Sequence, residues 1–158
     1  MEQDFKEKTP LRGNVFLKAV HVDGTIETRE FKNVVTAAGK AQVAFLINTA
    51  TAVPFTALAI GTGTAAAATS DTALGTELAS NGFDRAAATL SRVTTDDADD
   101  TAQLVVTWTS SSNSTVAVTE VGAFNALTAG TMLGRQTFAA VNLASGDKLE
   151  ITYKFDVD

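Results

Sequence analysis

A mainly β domain with one short α-helix is the fold class that this sequence predicts, and three observations carry it. Leu149, Ile151, Tyr153, Phe155 and Val157 alternate with Glu150, Thr152, Lys154 and Asp156, the period-two pattern of a half-buried strand. Similar runs recur at intervals of about 8 to 12 residues with turn residues between them, which suggests a β-sandwich or an open β-barrel. Only the segment after Thr36 carries a sustained apolar pattern at helical spacing. At 158 residues the chain can form one domain that buries about two-thirds of the surface its unfolded form exposes.

Taken in order, residues Met1–Arg12 mix charges of both signs with a proline and show no period, so they are expected to form an extended N-terminal arm, with the single β-rich domain spanning residues 13–158. Asn14–Val22 and Thr25–Phe31 alternate around Asp23-Gly24, the signal of a two-residue hairpin whose type I′ turn needs φ > 0 at both central positions. Thr36 is placed to cap a helix bearing Ala41, Val43, Phe45, Leu46 and Ile47, which Asn48 would end. Phe55–Ile60 reads as a strand that runs into a loop of Gly, Thr and Ala, where Thr72–Ala79 could make one helical turn. Phe83–Thr94 and Ala102–Thr109 read as strands separated by the acidic turn Asp96–Asp100. After a turn at Ser110–Ser114, a strand carries Val116, Val118 and Val121 through Phe124, and Ala129-Gly130 closes a hairpin to Met132–Phe138. Leu149–Val157 is the final strand.

Composition narrows the function classes. The chain has no cysteine, which excludes disulfides, thiolate nucleophiles and thiolate metal sites. The net charge of −6 gives a field that repels a phosphate backbone, so no nucleic-acid partner is expected. MEQDFKEKTPLR lacks the apolar core of a signal peptide, and no apolar run approaches the roughly 20 residues that cross a bilayer, so no membrane partner is expected either. A hydrophobic content of 45% beside only 19% charged residues argues for a folded chain with Thr/Ser/Ala-rich surface loops.

Two blocks carry a resemblance. Pro54–Leu78 contains PFTALAIGTGTAAAATSDTALGTEL, and Thr119–Phe138 reads TEVGAFNALTAGTMLGRQTF. In this order they resemble a family of small structural proteins of tailed-phage virions, over roughly Asn33 to Phe155. The resemblance implies a particle component with a β-tulip-like fold. Its favoured form is a capsid decoration (cement) protein that binds the exterior of a phage head and stabilises it as a homotrimer, with the major capsid protein as partner and the virion, assembled in the host cytoplasm, as location. The alternative is a tail, baseplate or fibre component acting as an adaptor or receptor-contacting tip. An enzyme or carbohydrate-binding module with a site near Trp108 is the reading from another class.

Individual residues favour a structural protein without catalytic residues, metal or cofactor. Gly61-Thr62-Gly63-Thr64 could cradle a phosphate with backbone N–H groups, but the Gly-Lys-Ser/Thr of a phosphate loop does not follow. Asp96–Asp100 could hold calcium, yet it lacks the glycine and distal glutamate of an EF-hand loop, and a solvated turn is expected. His21, the sole histidine, would have to serve any Ser-His-Asp triad, and is read as a partly exposed strand residue. Glu120 lies among apolar residues and is expected to form a structural ion pair with Arg135 or Arg92. Trp108 and Tyr153 are assigned to the core or a subunit interface, and Phe124 and Phe138 to the core. Capsid and subunit contacts are expected from the arm, through Glu2, Asp4, Phe5, Lys6, Lys8, Pro10 and Arg12, because an arm that orders only on its neighbour can wrap a large surface.

Overall fold

The computed structural model describes residues 11–157. Its strands are β1 (Leu11–Val20), β2 (Ile26–Lys32), β3 (Val34–Val35), β4 (Ala57–Gly61), β5 (Ala86–Ala87), β6 (Thr89–Val93), β7 (Thr101–Thr109), β8 (Val116–Phe124), β9 (Met132–Leu143) and β10 (Lys148–Val157), with helix α1 (Ala37–Asn48) between β3 and β4. They form two five-stranded antiparallel sheets, ordered β2-β1-β10-β7-β6 and β3-β9-β8-β4-β5. Of the two expected architectures, a sandwich is the one adopted, and the sheets do not close into a barrel.

Alternation fixes which face of each strand is buried. Leu149, Ile151, Tyr153 and Phe155 of β10 lie between Val15, Leu17 and Ala19 of β1 and Leu104, Val106 and Trp108 of β7, and all face the second sheet. Leu58 and Ile60 of β4, Val121 and Ala123 of β8, and Leu133, Val141 and Leu143 of β9 meet them. Trp108 and Tyr153 are thus core residues. Trp108 Nε1 donates to Asp84 O at 2.8 Å, and Asn33 Nδ2 donates to the Tyr153 hydroxyl at 2.6 Å, so each buried aromatic has a polar partner. Phe124 is also buried, but on the outer face of the second sheet with Ala57, Ala59, Leu74 and Met132. Phe138 is half-buried and stacks on Phe31 with centroids 5.3 Å apart.

Several expected boundaries shift for physical reasons. Leu11 and Arg12 belong to β1, opposite Val157 and Asp156, and so are not part of the expected arm, whose other residues lie outside the described ones. Glu2, Asp4, Phe5, Lys6, Lys8 and Pro10 lie outside the described residues. At the first hairpin, Gly24 N donates to His21 O and His21 N to Thr25 O, which makes a three-residue loop with positive φ at Gly24 alone. The helical turn at Thr72–Ala79 does not form, because Leu78 N donates to Ile60 O, Thr62 N to Thr76 O, and the Gly75 and Thr76 amides have another acceptor described below. Strand β9 runs five residues past Phe138, pairing Val141 to Leu143 with Val116 to Val118.

Helix α1 starts where the cap signal puts it: Thr36 Oγ1 accepts from Gly39 N at 2.9 Å and donates to Met132 O. Gly39 is the helix's only buried residue, and a Cβ there would sit 2.6 Å from the Leu133 Cα. The helix therefore lies almost directly on the β9 backbone. A glycine-to-alanine change inside a helix normally stabilises by up to about 1 kcal/mol. Here the sign reverses: Gly39→Ala is expected to cost about 1–3 kcal/mol by forcing α1 off β9, read as a lower urea midpoint with an unchanged slope.

Candidate functional site

The most concentrated polar chemistry among the described residues lies on the outer face of the second sheet, at Glu120 on β8. A register irregularity between Val118 and Glu120 turns Glu120 outward, away from the core that Val118 and Val121 enter. There it is covered by the long loop between β4 and β5, residues 62–85, and is fully buried. Glu120 Oε1 accepts from Gly63 N at 2.9 Å and Thr76 N at 2.7 Å, and Oε2 from Gly75 N at 2.9 Å. Arg135 on β9 donates from Nε to Oε2 at 2.9 Å, and its Nη2 lies 2.8 Å from the same oxygen but off hydrogen-bond geometry. Arg135 Nη1 donates to Asp71 at 2.8 Å, and Asp71 in turn accepts from Ala68 N, which closes the loop on itself.

The glycines follow from this cradle. A Cβ on Gly63 would stand 2.5 Å from Glu120 Oε1, so the backbone can approach the carboxylate only without a side chain. Of the Gly61–Thr64 string that suggested a phosphate loop, only the Gly63 amide meets an anion, the protein's own Glu120 carboxylate, while Thr62 N donates to Thr76 O. Burial opposes ionisation of Glu120, but the donors from Thr76, Gly75, Arg135 and Gly63 outweigh it and hold its pKa below the ordinary glutamate value.

A second arginine anchors the far end of the loop. Arg85 forms a two-pronged pair with Glu77, Nε to Oε1 at 2.9 Å and Nη2 to Oε2 at 2.7 Å. Its Nη1 donates to Ala126 O and Ala129 O, and its guanidinium lies 3.7 Å from the Phe124 ring centre. Arg135 is thus the partner of Glu120. Arg92 is on β6, at the edge of the other sheet, and is exposed.

The remaining candidates are dispersed. Asp100 accepts from the Thr95, Asp96 and Asp97 amides, with the Asp97 and Thr95 bonds the strongest influences holding its carboxyl far below the usual range, and Asp99 sits at φ 61°. That is the geometry of a self-bonded turn. Among the described residues no group of three or more His, Cys, Asp or Glu side chains is arranged to hold a metal. His21 lies in the loop after β1 and its Nδ1 is 2.8 Å from Asp147 Oδ2, a contact 126 residues apart that the sequence did not disclose. Asp147 also accepts from Val22 N and Ala144 N, tying the β1–β2 and β9–β10 turns together. The ring bonds to Asp147, and among the described residues no hydroxyl hydrogen-bonds to it as a nucleophile would.

No protein-family model, curated protein sequence or solved structure matches the chain. Among the described residues no helix is long and apolar enough to cross a membrane.

Three variants probe these charged groups. Glu120→Ala leaves Arg135 without its main partner and frees three amides, and is expected to cost about 3–5 kcal/mol, with amide exchange accelerating first at Gly63, Gly75 and Thr76. Because the folded pKa of Glu120 is depressed, its contribution is complete above the unfolded value and is lost as pH falls through the folded one; Glu120→Gln should flatten the acid limb of the stability curve. His21 has the opposite sign. The Asp147 hydrogen bond raises its pKa against partial desolvation, so its contribution is complete below the ordinary histidine value and fades as pH rises through the folded one. His21→Gln should remove that alkaline-side decline in thermal midpoint, and should also weaken the acid limb in part, because the His21 hydrogen bond helps to hold the Asp147 carboxyl below its ordinary value.

Proposed function

We propose that the protein is a structural component of a tailed-phage virion, a decoration (cement) protein that binds the outside of the head and stabilises the shell. The observation that carries this reading is the way the two resembling blocks fit together. The Gly/Thr/Ala loop of the first block is folded onto Glu120 and Arg135 of the second, so both belong to one structural unit. The polar groups of that unit are spent on fixing a loop, which suits a protein whose task is to present a rigid surface. The proposed partners are the major capsid protein and further copies of this chain, in a homotrimer. The proposed location is the virion.

Immunogold labelling of purified particles with antibody to the folded domain tests the reading. Gold distributed over the shell is the expected result. Gold confined to the tail would replace the decoration role with that of a tail, baseplate or fibre component, and particles without gold would remove the virion reading altogether.

A further inference from the structure

The two ends of the sandwich differ in chemistry. At one end the turns are bound to one another by His21, Asp147 and Ser110. The opposite end, where β1 begins and β10 finishes, carries a groove of about 330 Å³ whose walls include Val43 and Leu46 of α1, Phe55, Leu104, Phe155 and Val157. Val157 in that wall is 59% exposed, and on α1 Phe45 is 47% and Ile47 82% exposed. Helix α1 has one charged residue, Lys40, and buries only Gly39, so an almost wholly apolar helix stands at the surface. The rim is charged, with Arg92 on β6 and Asp99 in the acidic turn. Neither side chain forms an ion pair among the described residues.

Leu11, the first described residue, lines the same groove, and ten residues precede it. In those ten, one large aromatic is flanked by opposite charges: Asp4-Phe5-Lys6. That triplet complements the groove, with an apolar ring for the apolar floor, a carboxylate for Arg92 and an ammonium for Asp99. Phe5 lies six residues before Leu11, a span of at most about 20 Å.

We propose that this groove receives the N-terminal segment of a second copy of the chain, with Phe5 seated between α1 and β7, Asp4 paired with Arg92 and Lys6 with Asp99. The contact is heterologous, head to tail, so it closes into a ring where the rotation between copies allows. It supplies a physical basis for the self-association in the function proposed above, but it is tested on the free protein, so either can fail alone.

The experiment is sedimentation equilibrium of the full-length chain over a wide concentration range, beside Phe5→Ala, Arg92→Glu, and Arg92→Glu combined with Asp4→Lys. Arg92 is exposed, and unchanged circular dichroism and thermal midpoint verify that the variants are folded. Wild-type protein is expected to associate, Phe5→Ala to weaken association about tenfold or more, and Arg92→Glu to weaken it with recovery in the charge-swapped double variant. Wild-type protein that stays monomeric, association unchanged in Phe5→Ala, or no recovery in the double variant overturns the proposal. Association that strengthens in Phe5→Ala overturns it as well, since the segment would then be covering its own groove.

Discussion

The constraint on which the second sheet depends is the buried carboxylate of Glu120. A glutamate removed from water inside a sheet face must be supplied with donors or neutralised, and this chain supplies them from three backbone amides and one arginine. Meeting that demand dictates where a long loop goes. Residues 62–85 have few large apolar side chains with which to bury themselves, and Leu74 and Phe83 are the buried ones. What holds the loop is its set of amides converging on one anion, with Arg135 bound to Asp71 and Arg85 to Glu77 within it. A hydrophobic replacement of the pair could match its stability, but no apolar side chain can specify which amides must point inward.

Covering that face changes how the strands beneath it read. Strand β8 is buried on both sides from Val118 to Phe124, because the core takes Val121 and Ala123 while the loop takes Glu120, Gly122 and Phe124. Gly122 belongs to the same arrangement: a Cβ there would stand 2.9 Å from Leu74 Cδ2. Alternation therefore gives way to a run of small and mixed residues, the pattern expected of a central strand with both faces covered.

The contrast between β10 and this region explains what the sequence makes legible. Strand β10 has one face in the core and one in water, so its pattern identifies the strand, its register and its buried residues at once. The helix was equally legible through Thr36, because capping is local chemistry. Glu120 stood out as a charge among apolar neighbours, and of its two candidate partners Arg135 is the one on the adjacent strand, opposite Gly122. Pairings that depend on distant turns left no such trace. Asp147 shows nothing locally that ties it to His21, and the five extra residues of β9 lack an apolar rhythm because Ala139 and Ala140 are exposed. The helical turn expected at Thr72–Ala79 failed for a related reason: local propensity there was slight, and the Glu120 carboxylate claimed the amides.

The same balance of forces gives the molecule a direction. One end of the sandwich is sealed by hydrogen bonds among its turns: Ser110 N to Asp147 O, Gly146 N to Ser110 O, Ser111 N to Asn81 O, and the His21–Asp147 pair. These bonds satisfy backbone groups locally and leave that end little to offer a partner. At the other end the acidic turn is satisfied within itself by Asp100, while α1 and the neighbouring strand ends expose apolar surface that none of the described residues covers. Where such surface adjoins the start of the described chain, Arg92 stands on one side and Asp99 on the other, neither in an ion pair among the described residues. The two ends and the outer sheet face thus differ in kind: buried charge fixes the long loop on the second sheet, and apolar surface stays exposed at one end.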